Sequence, residues 1–164
     1  MNLVKYNVKL IERLIDIIEM FDDKKWSSLI STINNETIGR HFRHISDFYI
    51  QFFEGVLNKN INYDKRSRNE LVERKPEAAI QVFNEIIKNF NNPLDDDSIQ
   101  ITMNSTICDK KTTSSISREL MNLIDHTIHH GHIIQIAIQN EFPSIDIKES
   151  FYSPSTIASL KCVQ

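Results

Sequence analysis

The eight residues DHTIHHGH, 125–132, hold four of the chain's six histidines. Histidine moves protons near neutral pH and, through a neutral ring nitrogen, binds divalent transition metals. Spacing decides which of the four can act together. His126 and His130 are four residues apart, so on a helix they lie one turn apart and their rings can converge on a single point. At 100° per residue, His130 falls about 40° from the centre of that helix's apolar stripe and His126 about 80° on the same side. His129 and His132 fall about 140° and 160° away and face outward, where they suit a subunit interface. The inner pair supplies two metal ligands at most. Two packed, hydrogen-bonded core rings would explain it as well, so a metal site needs a third ligand from another helix.

The segment GRHFRH, 39–44, offers two candidates, His41 and His44. Periodicity puts His41 about 60° from its apolar centre and His44 about 120° away, so spacing alone prefers His41. Among the carboxylates, Glu119 shares the face of His126 two turns earlier, a backbone separation of about 10 Å. That is too far for a direct hydrogen bond to His126, but it leaves Glu119 able to serve as a proton acceptor in a pocket between helices. A salt bridge to a partner helix is its alternative role. Asp125 and Asp47 project away from the stripes and are discounted.

Four helical segments must position these groups. The first carries Val4, Val8, Ile11, Ile15 and Ile18 at the three-four spacing of an amphipathic helix, and a polar stretch around DDKKW follows it. The second carries Ile38, Phe42, Ile45, Tyr49, Phe52 and Val56, with Asn35 or Thr37 as its cap. Pro76 suits the first turn of the third, whose stripe is Ile80, Phe83, Ile87 and Phe90. The fourth starts among TTSSIS and runs to about Asn140, with Ile116, Leu120, Leu123, Thr127, His130, Ile134 and Ile138 on one face. About eighteen residues separate the second and third helices, long for antiparallel neighbours and long enough for a crossover that lets the two run parallel. Before the fourth helix, SIQITM alternates apolar and polar residues, as a short strand or an extended loop would. Only three glycines and four prolines interrupt the chain, which favours long helices over many strands.

At 164 residues the chain is expected to form one domain, 1–164, large enough to bury a core without disulfides or a structural metal. The net charge of −3 argues against a nucleic-acid footprint. The basic run YDKRSR, 63–68, has acidic neighbours and reads as a solvated loop. Cys108 and Cys162 are too few for a disulfide framework, and neither sits near a motif that would make it a nucleophile. Without a charged-then-apolar leader or a long apolar run, neither export nor a membrane span is expected, and the cytoplasm is the default location with both thiols unpaired.

Three segments together resemble the DinB-like family of helical bundles. TIGRHFRHISDFY, 37–49, is similar to the family's second-helix segment, in which a histidine precedes an aliphatic residue, here His44 and Ile45. STICDKKTTSSISREL followed by MNLIDHTIHHGHI resembles the approach to the fourth helix and its body, and FYSPSTIASLK, 151–161, a terminal segment of one branch. The resemblance implies an all-α four-helix bundle running up-down-down-up, with a long crossover between the second and third helices. It implies a three-histidine metal site at His44, His126 and His130, with His41 a neighbouring pocket residue or the alternative ligand. Two departures stand out. Gly131 costs a mid-helix position about 1 kcal/mol relative to alanine, and His132 stands where relatives carry a small residue or glutamine.

Three neutral imidazoles leave a divalent ion, zinc or nickel, its full charge and an open position. Water there becomes acidic enough to attack a carbonyl, and a thiol is deprotonated to the nucleophilic thiolate. The resemblance thus implies a metal-dependent hydrolase or a thiol S-transferase acting on a small-molecule substrate or a low-molecular-weight thiol; the outward His129 and His132 suit a homodimer interface. The alternative is a metal-binding or stress-response bundle that keeps the site without turnover.

Overall fold

The structure, a computed structural model, describes residues 2–94, 98–104, 109–147 and 151–153, together with Thr156 and Ser159. Cys108, Cys162 and most of the terminal segment that carries part of the family resemblance lie outside the described residues.

Four long helices dominate: α1 (Leu3–Ile18), α3 (Ile38–Asn58), α5 (Pro76–Asn89) and α6 (Ile116–Glu141). Their starts follow local chemistry. Side chains of Asn2, Thr37 and Ser115 accept hydrogen bonds from the backbone N–H groups of Val4, Arg40 and Arg118, and Pro76 opens α5 where no N–H is needed. Of the two caps expected for α3, Thr37 serves; Asn35 instead takes a left-handed turn at φ 57° just before it.

α1 and α3 each pack against both α5 and α6. Ring contacts give the directions. Phe42 meets Phe83 and Phe53 meets Phe90, so α3 and α5 run parallel. Phe21 meets Phe142 at the far ends of α1 and α6, while Asn7 near the start of α1 donates to the Leu120 carbonyl, so this pair is parallel as well. His41 meets His130 while Phe48 meets His126, so α3 and α6 are antiparallel. The long connection between α3 and α5 therefore does return the chain to run in the same direction.

The fold is mostly helical but is not a plain four-helix bundle. The described residues add two short helices, α2 (Asp23–Trp26) and α4 (Glu70–Arg74), and a three-stranded sheet in the order β1 (Asn60–Ile61), β2 (Ser98–Asn104), β3 (Asp109–Ser115). β1 pairs with β2 in parallel, and β2 with β3 antiparallel in a register that sets Gln100 opposite Thr113. The extended segment expected before the fourth helix is thus the middle strand of a sheet, with Ile99 and Ile101 buried. Its partner, DKKTTSS, has no apolar alternation because backbone pairing rather than side-chain burial holds it.

The polar stretch after α1 conceals an anchor. Trp26, the last residue of α2, is fully buried and donates its indole N–H to the Val72 carbonyl of α4 at 3.0 Å. Gly39 makes the approach feasible, since a Cβ there would lie 2.2 Å from the Glu73 carbonyl oxygen. This contact holds α4 against the first turns of α3.

The buried face of α1 also departs from the apolar stripe. Asn7, Leu10, Ile11, Leu14, Ile17 and Ile18 are buried, while Val4, Val8 and Ile15 are half-buried. The face is rotated toward Asn7, a polar residue that apolar counting passes over. Its amide donates to the carbonyls of Leu3 and Leu120 and accepts from the Tyr49 hydroxyl at 2.8 Å; that hydroxyl also lies 3.1 Å from Thr127 Oγ1. A fully satisfied buried network of this kind fixes how α1, α3 and α6 register against one another.

Gly131 has a packing reason. Phe151 is buried over it, and a Cβ at residue 131 would lie 2.3 Å from the Phe151 ring. The Phe151 N–H donates to the Gln135 side chain at 3.2 Å, which ties the returning chain to α6. No helix among the described residues is long and apolar enough to cross a membrane.

Candidate metal centre

α3 and α6 bring His44, His126 and His130 together. One potential ligand atom from each lies within 4.8 Å of the other two, and all three rings are half-buried. Nε2 of His44 and Nε2 of His126 are 3.2 Å apart, and His126 and His130 are one turn apart on α6 with ring centroids 4.6 Å apart. The same separation divides His44 from His130, with the rings nearly perpendicular. The cluster is able to coordinate a metal ion.

Electrostatics prepares the rings for that role. Burial, with the Arg66 guanidinium next in importance, pushes His44 down to about 4. Burial and then the neighbouring histidine rings push His130 down to about 3 and His126 lower still. At neutral pH all three are therefore uncharged imidazoles with a lone pair to offer. Nδ1 of His126 is buried without a hydrogen-bond partner, at a cost of about 1–3 kcal/mol. The donor set fits a divalent transition ion.

His41 does not join the three but stands behind one of them. Its Nδ1 lies 3.3 Å from Nδ1 of His130, so one of the two carries the bridging proton. On its other side, Nε2 is 3.4 Å from Glu36 Oε2. Burial lowers the pKa of His41, and Glu36 only partly opposes this, so the contact joins a neutral ring to a carboxylate more than it forms an ion pair. Periodicity was right that His41 points inward; it is more buried than His44. His44 sits at the margin of the stripe, where α3 meets α6.

An aromatic wall fixes His126. Phe48 stacks on its ring at 3.8 Å between centroids, and Tyr63 stacks on Phe48 at 4.9 Å. The Tyr63 hydroxyl donates to Glu119 Oε2 at 2.8 Å, and Ser114 Oγ donates to Glu119 Oε1 at 2.6 Å. Burial and the Glu119 carboxylate push the Tyr63 pKa up, so it remains a donor. Glu119 is thus buried and engaged by two hydroxyls, and it is not among the residues that line the cavity beside the histidines.

That cavity, about 510 Å³, is open to solvent and lined by His41, His44 and His130 with Glu36, Glu70, Glu73 and the arginines 40, 43, 66 and 68. The run YDKRSR is therefore not simply a solvated loop. Tyr63–Lys65 forms a 3-10 turn, and Tyr63 and Arg66 turn inward onto the Phe48 wall. Asp47, discounted from periodicity, is buried with Arg43 3.9 Å away, and burial raises its pKa to about 6. The reason is that α4 covers a second side of α3, whereas periodicity assumes one covered face. Asp125, His129 and His132 are exposed, as their spacing predicts. Sequence reasoning missed Glu36, which precedes α3 and carries no motif.

The chain matches no family model, no curated protein and no solved structure.

Proposed function

We propose that the chain is a metal-dependent enzyme of the DinB-like kind, in which His44, His126 and His130 hold one divalent ion, zinc or nickel. The observation that carries this reading is three neutral imidazoles, from two helices, converging beside an open cavity of small-molecule size. When bound, such an ion supplies a Lewis acid at which water or a thiol loses its proton near neutral pH, the basis of hydrolysis or thiol S-transfer.

The chain's own residues do the rest. His41, bridged to Nδ1 of His130 and backed by Glu36, orients that ligand, as hydrogen-bonded partners of metal-binding histidines do. Phe48 keeps the His126 ring in one plane and water off its face. Glu119 holds Tyr63 against Phe48 and is a positioning residue, while Glu36, paired with Arg40, is the one of the three lining glutamates that contacts His41. A small substrate or low-molecular-weight thiol enters through the cavity.

Metal content of the untagged protein tests the reading. Wild type is expected to hold about one divalent transition ion per chain, His44→Ala and His126→Ala to hold none, and His41→Ala to keep it. No metal after reconstitution sinks the enzyme reading. A metal whose cobalt form ignores azide and thiols leaves a bundle that keeps a site without turnover.

A further inference from the structure

We propose that Arg66 and Arg68 bind an oxyanion on the substrate, a carboxylate or a phosphate, in the cavity that His44 and His130 line. The inference rests on the metal-centre reading and names the substrate class for it.

The cavity departs from the charge of the chain. A protein of net charge −3 lines this one cleft with four arginines against three glutamates. The glutamates are already matched. Glu36 pairs with Arg40 at 3.4 Å, Glu73 with Arg43 at 3.1 Å, and Glu70 with Arg74, which is not part of the lining, at 2.9 Å. Among the described residues, no carboxylate lies within 4 Å of Arg66 or Arg68; the buried Asp47 feels the charge of both, but its ion-pair partner is Arg43 at 3.9 Å. Two guanidinium groups thus line the cleft without an ion-pair partner of their own, since Asp47 is not part of the lining. A divalent ion held by neutral imidazoles would add to the positive field.

Arg66 is also held in place. Its Nη1 donates to the Tyr63 carbonyl at 2.6 Å, and the guanidinium lies 5.1 Å from the Phe48 ring centroid, on the ring that stacks against His126. The Tyr63–Lys65 turn that presents it follows β1, which is paired to β2, and the Asn62 side chain accepts from the Asp64 N–H within it. A guanidinium fixed on one edge keeps its remaining N–H donors in the planar fork that matches two oxygens of a carboxylate or phosphate. Ordering it beforehand reduces the entropy lost on binding.

The test uses mercaptoacetate, which carries a carboxylate, and mercaptoethanol, which does not. Both are titrated into the cobalt-loaded protein, following the thiolate-to-cobalt absorption band. The metal-free protein is titrated separately with inorganic phosphate by calorimetry. Wild type, Arg66→Gln, Arg68→Gln and the control Lys88→Gln are compared, with circular dichroism and cobalt content confirming an intact fold and site. Wild type is expected to prefer mercaptoacetate about tenfold, the worth of one charged hydrogen bond. Arg66→Gln and Arg68→Gln should each lower the ratio of mercaptoacetate to mercaptoethanol affinity, and Lys88→Gln, which lies outside the lining, should keep it. Phosphate binding lost in the same two variants identifies phosphate as an accepted oxyanion, and a carboxylate preference without it identifies carboxylate. Equal affinity for the two thiols together with no phosphate binding, or a preference that survives both substitutions, overturns the proposal. If neither thiol perturbs the cobalt spectrum, the metal reading has failed, and the phosphate titration alone decides the arginines.

Discussion

Nε2 of His44 on α3 and Nε2 of His126 on α6 face each other at 3.2 Å, although 82 positions separate them in the chain. Two neutral imidazole nitrogens at that distance must share either a proton or a cation. With His130 one turn along α6, the arrangement has the donors of a three-histidine metal site.

His41 separates a ligand from a ligand's support. Because it touches His130 and stands outside the cluster of three, His41→Ala should leave metal stoichiometry intact while weakening affinity about 10–100-fold. Competition against a chromogenic chelator measures this. A stoichiometry that falls to zero, as expected for His44→Ala, would make His41 the α3 ligand instead.

The low histidine pKa values make the metal-free protein sensitive to acid. His44 and His130 are held at about 4 and about 3 against a free value of 6.5. Below about pH 6.5 the unfolded chain therefore binds more protons than the native one, and these groups withdraw stability as pH falls toward their folded values. Asp47 acts in the opposite sense. Raised to about 6, it binds its proton more readily when native and adds stability as pH falls between 6 and its free value of 3.8. The comparison that isolates the histidines is urea unfolding of wild type against a His44→Ala/His130→Ala double variant. The wild-type midpoint should drop more steeply between about pH 6.5 and 4 than that of the variant. Parallel curves would show that the rings are not held neutral.

Gly131 is expected to resist a substitution that favours helix elsewhere. Alanine would gain about 1 kcal/mol of helix propensity, yet its Cβ would fall 2.3 Å from the Phe151 ring. Overpacking of that kind costs about 1–3 kcal/mol. Gly131→Ala should therefore lower the urea midpoint in the wild-type background and raise it in a Phe151→Ala background, where the ring is gone. Stabilisation in both backgrounds would mean that Phe151 does not pack on α6.

Much of the scaffold was readable locally. The stripes of α3 and α6, the cap at Thr37, the proline at the start of α5 and the one-turn spacing of His126 and His130 all depend on residues within a few positions of one another. Outward His129 and His132 followed from the same geometry. Where a buried position is polar, local reading failed. Asn7 shifted the true face of α1, and Asp47 lies beneath α4 on a side that a one-faced helix would leave wet. β3 escaped notice because its pairing is written in backbone hydrogen bonds, which every residue type but proline can make.

The sequence by itself determined the long helices and the pair of histidines that one helix can aim at a single point, because helical period and side-chain type act over a turn or two. Periodicity preferred His41 and the family resemblance His44; the tertiary structure brings His44 to that pair with His41 behind it, and only the tertiary structure decided that YDKRSR turns Arg66 and Arg68 toward the same cavity. Those outcomes depend on how α3 and α6 cross and on where the connection after β1 returns. Such long-range packing is set by shape and burial across the whole core, and no short stretch of residues encodes it.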